Sequence, residues 1–429
     1  MHLIKRTTCR VCGSNKLTSV INLGDQYLQG SFIKPNKEMP STRKIPTSLV
    51  RCDPTKDENA CGLLQMEYTV PPEVLYSTYW YRSGTNNTMR NHLKGITEEI
   101  VGMFGQADAV RVLDIGCNDG TLLGYYPENY IKYGIDPCDI AKEIKPPIHV
   151  IQGFFPSLEL VSHAQGKLFD AITSIAVFYD LENPLNFVHE IKKVLSPTGI
   201  WVFEVAYMPT MLKNTSYDTI CHEHIEYYSL AVAECILNHE GMRLINVCKN
   251  SINGGSLRCY VTRADNFIHD QDEFQQNISA MRRAEFDLEL DTDKPYLKFQ
   301  NRIDVHKEEL GTLIRQLKKD GKRIHIYGAS TKGNTILQWC GIDHMVVDYA
   351  AERNPNKYGA MTLGTNIPII SEAESRAMKP DYYLVLPWHF KEEFIQREQK
   401  ALESGIGFIF PLPKIEIIHG MGKDTRRFE

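Results

Sequence analysis

The run from Asn214 to Tyr228, NTSYDTICHEHIEYY, is the densest polar cluster in the chain and sets His222, Glu223 and His224 side by side. A histidine next to a glutamate can serve as a general base tuned near neutral pH. The spacing does not match HExxH. Residues two apart share a face on a strand but lie roughly 200° apart on a helix, so a helix could not give both histidines to one metal. A cluster of satisfied structural polar groups is the other reading. The run closely follows the apolar stretch GIWVFEV, which puts it near the end of a strand.

A second group of residues points to a bound small molecule. Val112 to Gly120 reads VLDIGCNDG, an apolar strand with Asp114 near its end and a turn holding Gly116, Asn118 and Gly120. Glycines allow the backbone to approach a ligand, and a helix starting at Thr121 would offer free amides. A dinucleotide fold uses GxGxxG at this place, whereas here the glycines are four apart and preceded by an acid. An acidic strand end suits a cationic or zwitterionic ligand better than two phosphates. Twenty-two residues after Asp114, Asp136 closes the run YGID, where a carboxylate can accept both hydroxyls of a ribose. Asp170 in LFDAITS belongs to another strand of that sheet and is assigned to the same ligand edge. A tight turn with a capping acid in some other α/β enzyme is the plainer alternative.

Cysteines supply a third group. Cys9 and Cys12 in CRVCG have the CxxC spacing that brings two thiolates to one tetrahedral metal, and Cys52 and Cys61 are the only other cysteines ahead of the glycine turn. Four thiolates close the coordination sphere, so a zinc ion there would be structural. Unliganded thiols are the other reading. Near the far end, YGASTKGNT places Lys332, Asn334 and several amides at a helix start, which suits a diphosphate. A full P-loop is absent because Lys332 precedes Gly333, so nucleotide hydrolysis is not supported. Asp348 is read as the end of the next strand, with Lys357 in the turn after it. A structural Rossmann unit walling the cleft is the alternative for this region.

The elements that must hold these residues are set by pattern. VRVLDIG, YIKYGID, FDAITSI and GIWVFEV are β-rich runs separated by helix-length stretches, and RIHIYGAS, MVVDY, NIPII and DYYLVLPW repeat the arrangement later. Such alternation predicts parallel sheets covered by helices. Ile303, Leu310, Ile314 and Leu317 share one helical face. The reading is an α/β chain in four parts: a part over 1–75 holding the candidate zinc cysteines, turn-rich and short of apolar residues for a core of its own; a Rossmann-like domain over 76–265; a helical connector over 266–320; and a C-terminal Rossmann-like domain over 321–429. At 429 residues the chain is too long for one ordinary core, and 42% hydrophobic with 24% charged residues rules out wholesale disorder.

A formal charge of −5 gives no global field to attract a phosphate backbone, so nucleic acid is not expected as a partner. Lys5 and Arg6 run into Thr7, Thr8 and Cys9 rather than an apolar segment, which does not read as a signal peptide. No eighteen apolar residues run together, so no membrane span is expected. A cytoplasmic location, where thiols stay reduced, agrees with eleven cysteines read as ligands or buried thiols.

The strand, acid and glycine turn resemble the class I methyltransferases that use S-adenosylmethionine. In that family the turn wraps the methionine part and the second acid holds the ribose. Carried over, Asp114, Gly116, Asn118, Gly120, Asp136 and Asp170 line the cofactor. The cysteine quartet, DTICHEHIEYYSL, NGGSLR at Asn253 to Arg258, YGASTKGNT and ERNPNKYG together resemble the sugar C-methyltransferases that act on nucleotide-linked 4-keto-6-deoxyhexoses in deoxysugar biosynthesis. The similarity covers nearly the whole chain. It implies an N-terminal zinc-binding part, a central methyltransferase domain and a C-terminal Rossmann-like domain, with the sugar nucleotide between the parts.

The implied chemistry is methyl transfer to carbon, C3, after a base removes the hydrogen that a C4 ketone acidifies. The resemblance makes His224 the base and Glu223 its orienting or sugar-binding neighbour. Tyr81 in YWYRSG is either a hydroxyl near the ketone or phosphates, or a core ring. His222, Asn253, Ser256, Arg258, Lys332 and Asn334 are assigned to the substrate. Related enzymes read Tyr where this chain has Cys221, and an asparagine and histidine motif where it reads AVFYD at Ala176 to Asp180. Tyr179 and Asp180 are candidates to replace the lost groups. Methylation of oxygen or nitrogen on a sugar nucleotide is one alternative, and epimerisation of a keto sugar by the same base is another.

Overall fold

The computed structural model describes residues 3–35, 37, 41–76, 82–105, 107 and 109–420. The central unit is a seven-stranded sheet in the order Met242–Asn250, Ser256–Arg263, Leu195–Ala206, Phe169–Ile175, Arg111–Ile115, Ile131–Asp136, His149–Gln152. The last five of these pair in parallel, and Ser256–Arg263 runs antiparallel to both its neighbours. The chain enters at Arg111–Ile115, winds outward one way, then returns to add Phe169–Ile175 on the other side. The crevice at that reversal, outside the carboxyl ends, is where such sheets bind ligands.

Four of these strands coincide with the β-rich runs of the sequence. His149–Gln152, an edge strand with two of its four residues exposed, carried no such run. Ser256–Arg263 is interrupted by Arg258, which is buried by pairing and not by being apolar. Asp170 needs correction. It is the second residue of Phe169–Ile175 and accepts the Arg111 backbone N–H at 3.0 Å. Five residues of strand, roughly 16 Å, separate it from the carboxyl edge, so it caps the opposite end of the sheet and takes no part in the ligand crevice.

The C-terminal unit repeats the design with six strands in the order Ile369–Ser371, Tyr349–Glu352, Ile324–Tyr327, Tyr382–Val385, Gly407–Phe410, Glu416–Ile418. All pairs but the last are parallel. The run MVVDY becomes a strand only at Tyr349. Asp348 therefore lies before the strand, where it takes Lys318 at 2.6 Å, and Glu352 holds the strand end that Asp348 was expected to hold.

The first 75 residues form a four-stranded antiparallel sheet ordered Glu226–Tyr227, Leu64–Met66, Ile45–Cys52, Leu17–Gln26. One of its strands thus comes from the residues immediately after the HEH run. Its apolar face is covered by the long helix Lys294–Lys319, whose Tyr296, Phe299, Ile303, Leu310 and Ile314 join Val20, Ile21 and Leu23 in one core with Ile324 and Leu337 of the C-terminal unit. The preceding helix, Asp272–Phe286, instead packs Ile278 and Met281 against the central sheet. The two connector helices therefore belong to different cores. A two-residue pairing of Phe32–Ile33 with Met361–Thr362 ties the N-terminal part to the C-terminal unit. Among the described residues no helix is long and apolar enough to cross a membrane.

Arg51 secures this junction. Its side chain is fully buried, and it donates to Asp53 Oδ1 at 2.9 Å, Asp293 Oδ1 at 2.6 Å and the Asp291 carbonyl at 2.6 Å, so one guanidinium links the N-terminal sheet to the start of the long helix. Removing one partner of a buried pair leaves an uncompensated charge and costs about 3–5 kcal/mol. Arg51→Ala is expected to destabilise the protein by that amount, measured as a fall in the urea midpoint followed by circular dichroism.

Candidate active site

The cysteine quartet assembles from the knuckle at Cys9 and Cys12, the end of strand Ile45–Cys52, and Cys61 in the loop beyond it. The Sγ atoms of Cys9 and Cys61 are 3.5 Å apart, those of Cys12 and Cys52 are 3.4 Å apart, and all four lie within 4.8 Å of one another. Four thiolates at about 2.3 Å from a tetrahedral zinc stand about 3.8 Å apart, so the set fits one ion with no open position. Ser14 Oγ donates to Asp57 Oδ2 at 2.6 Å, which fastens the loop carrying Cys61 to the knuckle.

At the reversal crevice the glycine turn takes the shape its composition allows. Gly116, Asn118 and Gly120 all have positive φ, at 76°, 50° and 75°. A Cβ on Gly116 would also stand 2.4 Å from Val177 Cγ2, so only glycine fits there. Asp136, at the end of Ile131–Asp136, accepts the Asn118 N–H at 2.9 Å and the Cys138 N–H at 2.8 Å, which locks the turn to the neighbouring strand. Asp114 accepts the Thr173 hydroxyl at 2.6 Å. Burial pushes its carboxyl up to about 7, partly offset by Thr173 and reinforced by the nearby Asp136. Neither carboxylate forms an ion pair among the described residues, and two clustered acids without a cation suit a ligand that carries positive charge. The helix after the turn, Thr121–Gly124, is a single turn whose first amide is taken by Asp119 at 3.2 Å, so the free amides expected there are fewer than the sequence suggested. Ser83 and Gly84 lie across the turn, donating backbone N–H groups to Asn118 Oδ1 at 3.0 Å and Asp119 Oδ2 at 2.8 Å. Arg82 pairs bidentately with Glu143 at 2.8 and 2.7 Å beside them.

The HEH run is neither helix nor strand but a turn, closed by His224 N–H to the Cys221 carbonyl at 3.1 Å, so its side chains fan apart. His222 points into the N-terminal part. Its Nδ1 meets Gln29 Oε1 at 2.6 Å and its Nε2 meets Thr47 Oγ1 at 3.3 Å. Burial pushes His222 down to about 4, so it is a neutral, fully satisfied ring and not a substrate ligand. Glu223 also turns to the N-terminal part, where its Oε1 accepts the Gly30 N–H at 2.8 Å. A Cβ at Gly30 would stand 2.2 Å from that oxygen, which explains a glycine at this contact.

His224 turns the other way. Its Nδ1 lies 2.9 Å from the Thr219 carbonyl, which can only accept, so Nδ1 carries the hydrogen and Nε2 is left with its lone pair. Tyr179 packs edge-on against the imidazole with ring centroids 4.5 Å apart. Burial, helped by the charge of Lys332, pushes His224 down to about 3. The ring is thus far from the near-neutral tuning that the adjacent glutamate suggested. Asp180 lies in the same short turn as Tyr179, just past the end of Phe169–Ile175. Tyr81 lies outside the described residues.

Lys332 comes from helix Thr331–Cys340 of the C-terminal unit and reaches across to the Asn253 carbonyl at 2.7 Å. These two substrate candidates therefore meet at the seam facing His224. The others are occupied internally. Asn334 Nδ2 donates to the Gln29 carbonyl at 2.6 Å, and Ser256 Oγ donates to the Ile252 carbonyl at 3.0 Å. Arg258 pairs with Glu204 at 3.0 Å and Glu99 at 2.8 Å inside the central domain. The sequence did not single out Asp218, Trp388 or His389, although they border the same seam. Trp388 Nε1 donates to Asp218 Oδ2 at 2.9 Å across the two units. No local pattern marks this contact, because its partners are 170 residues apart.

Comparison with known proteins matches the chain in three consecutive parts. Residues 9–76 match a family described as "Putative zinc binding domain", residues 86–245 a "Methyltransferase domain", and residues 251–413 a "C-methyltransferase C-terminal domain". The chain is 27% identical over 422 residues to the C-methyltransferase NovU of Streptomyces niveus, covering 96% of each chain. Two solved structures overlay part of it. The plantazolicin methyltransferase BpumL with SAH has a TM-score of 0.33 and 17% identity, over 41% of this chain and 82% of that one. Magnesium protoporphyrin IX methyltransferase of Synechocystis PCC 6803 has a TM-score of 0.34 and 14% identity, over 43% and 90%.

The doubly wound sheet, its glycine turn and its acid pair define a methyltransferase domain. With the cysteine-bearing domain before it and the C-terminal domain after it, the chain is an S-adenosylmethionine-dependent C-methyltransferase with a zinc-binding N-terminal domain.

Two outcomes test these sites. Metal analysis of protein purified without chelator is expected to give one zinc per chain, and Cys9→Ser is expected to lower both that ratio and the melting temperature. Asp136→Ala is expected to weaken S-adenosylmethionine binding about tenfold to a hundredfold, the worth of a charge-assisted hydrogen bond. Because Asp114 is held up to about 7, a cationic ligand beside it draws its carboxyl toward the ionised form. Donor binding at pH 6.5 is therefore expected to release protons, read by calorimetry in buffers of different ionisation enthalpy.

Proposed function

We propose that this enzyme methylates C3 of a nucleotide-linked 4-keto-6-deoxy sugar, with His224 as the base that removes the C3 proton. One observation carries the reading: the Thr219 carbonyl, 2.9 Å from Nδ1, fixes the tautomer of His224 so that Nε2 keeps a free lone pair, within electrostatic reach of Lys332. A saturated carbon has no nucleophilic pair until a proton is removed. A ketone on the adjacent carbon makes that proton acidic, and the enolate needs a base on one side and positive charge near its oxygen.

In this reading two side chains take these roles. His224 Nε2 receives the proton, Tyr179 restrains the ring against rotation, and Lys332 supplies a cation for the enolate oxygen or for the diphosphate of the substrate. S-adenosylmethionine, when bound, supplies an electrophilic methyl group, held by the Gly116 to Gly120 turn and by Asp136. The sugar class rests on the resemblance of the HEH, NGGSLR and YGASTKGNT segments to the sugar C-methyltransferases. An anionic substrate beside Lys332 offsets the charge that lowers His224, so the imidazole becomes more basic once the substrate is in place.

The test is incubation with methyl-labelled donor and a panel of keto-sugar nucleotides, with the labelled atom located by NMR. Label on C3 is expected, and label on oxygen or nitrogen would sink the carbon assignment. Deuterium exchange at C3 without donor turnover would favour an epimerase. His224→Ala is expected to cut kcat by about a hundredfold to ten-thousandfold while leaving donor binding intact. The sign of the pH effect is set by the depressed His224: its neutral form prevails above about 3. The profile of kcat/KM is accordingly expected to show no acidic limb from this group between pH 5 and 8.

A further inference from the structure

Among the described residues, three polar atoms at the seam between the central and C-terminal units have no hydrogen-bond partner: Ser216 Oγ, Asp218 Oδ1 and His389 Nδ1. Ser216 and Asp218 are 4% and 1% exposed and His389 is partly buried, so bulk solvent does not reach the unpaired atoms of the first two. Burying a polar group without a partner costs free energy, and such a cost persists at a site that another molecule completes. The indole of Trp388 organises the three. It is bonded through Nε1 to the other oxygen of Asp218, it sits 5.7 Å from the His389 ring, and it leaves 3.1 Å to a Cβ built on Gly254, which in turn stands 3.9 Å from Ser216 Oγ. Lys332 adjoins the group, since its charge acts on Asp218, His389 and His224 alike.

We infer that Ser216, Asp218 and His389 form a subsite that grips a ring hydroxyl of the acceptor next to its reacting carbon. A hydroxyl both donates and accepts, which is what this set lacks. Its hydrogen goes to Asp218 Oδ1 or His389 Nδ1, and its oxygen receives the Ser216 hydroxyl. The inference rests on the keto-sugar reading of the function, whose base His224 lies on the same seam. The three residues come from both units, so the subsite exists only when the units are packed together.

The test uses calorimetric binding, without methyl donor, of dTDP-, UDP-, CDP- and GDP-linked 4-keto-6-deoxyhexoses and their 2-deoxy counterparts. Wild type is expected to bind one hydroxylated sugar about tenfold to a hundredfold more tightly than the analogue lacking that hydroxyl. In Ser216→Ala and His389→Ala the preference is expected to shrink toward unity through weaker binding of the hydroxylated sugar only. Asp218→Asn keeps shape and the Trp388 contact, and is expected to reduce the preference less. Equal losses for both members of a pair, or no preference in wild type, would overturn the subsite while the methylation reading stands. Failure of wild type to bind any member of the panel would overturn both.

Discussion

The N-terminal part cannot bury its own core, and the solution to that shortage shapes the active site. Its sheet is completed by Glu226–Tyr227 and covered by Tyr296, Phe299 and Ile303 of the long helix. The chain therefore leaves the central sheet at Ala206, crosses the seam and enters the N-terminal sheet at Glu226. The HEH turn is that crossing. His222 and Glu223 anchor it to Gln29, Thr47 and Gly30, while the turn closed at the Cys221 carbonyl lets the His224 ring fold back onto the Thr219 carbonyl instead. Fold stability and the direction of the His224 imidazole thus depend on the same contacts.

Electrostatics divides the cleft into two sides. Asp114 and Asp136 cluster without a cation on the donor side, and Lys332 stands with Asp218 and the rings of His224 and His389 on the acceptor side. Burial raises the acid and lowers both histidines, which keeps the region short of net charge before ligands arrive. Each side is thereby complementary to an incoming group of opposite sign, a sulfonium on one and an anionic acceptor on the other. The cost of holding these groups uncharged or unpaired is met by the surrounding apolar packing.

The two Rossmann-like units share a local device. In the central sheet Asp136 accepts the amide of the glycine turn and the amide two residues beyond itself. In the C-terminal sheet Glu352 accepts the Ala329 N–H at 3.0 Å and the Asn354 N–H at 2.9 Å, the same pattern after Gly328. An acid at the end of the second strand therefore rigidifies the turn after the first in both units. Past that turn the units diverge: one has a one-turn helix under a covering segment, and the other a ten-residue helix carrying Lys332 to the seam.

The linear sequence determined whatever depends on near neighbours. Strand and turn runs such as VLDIG and RIHIYG, the CxxC knuckle, and the paired acids Asp114 and Asp136 were all legible, because periodicity and glycine placement act over a few residues. Tertiary structure decided the rest. Asp170 and Arg258 have the right residue types, yet strand direction puts one at the wrong edge and pairing with Glu204 occupies the other. His222 and His224 look equivalent in HEH, and only the packing of Gln29 and Thr219 around them separates a structural ring from the proposed base. Trp388 reaches Asp218 only because the C-terminal unit is docked against the segment that follows the central sheet. Contacts between residues this distant are fixed by how cores merge, which no spacing along the chain records.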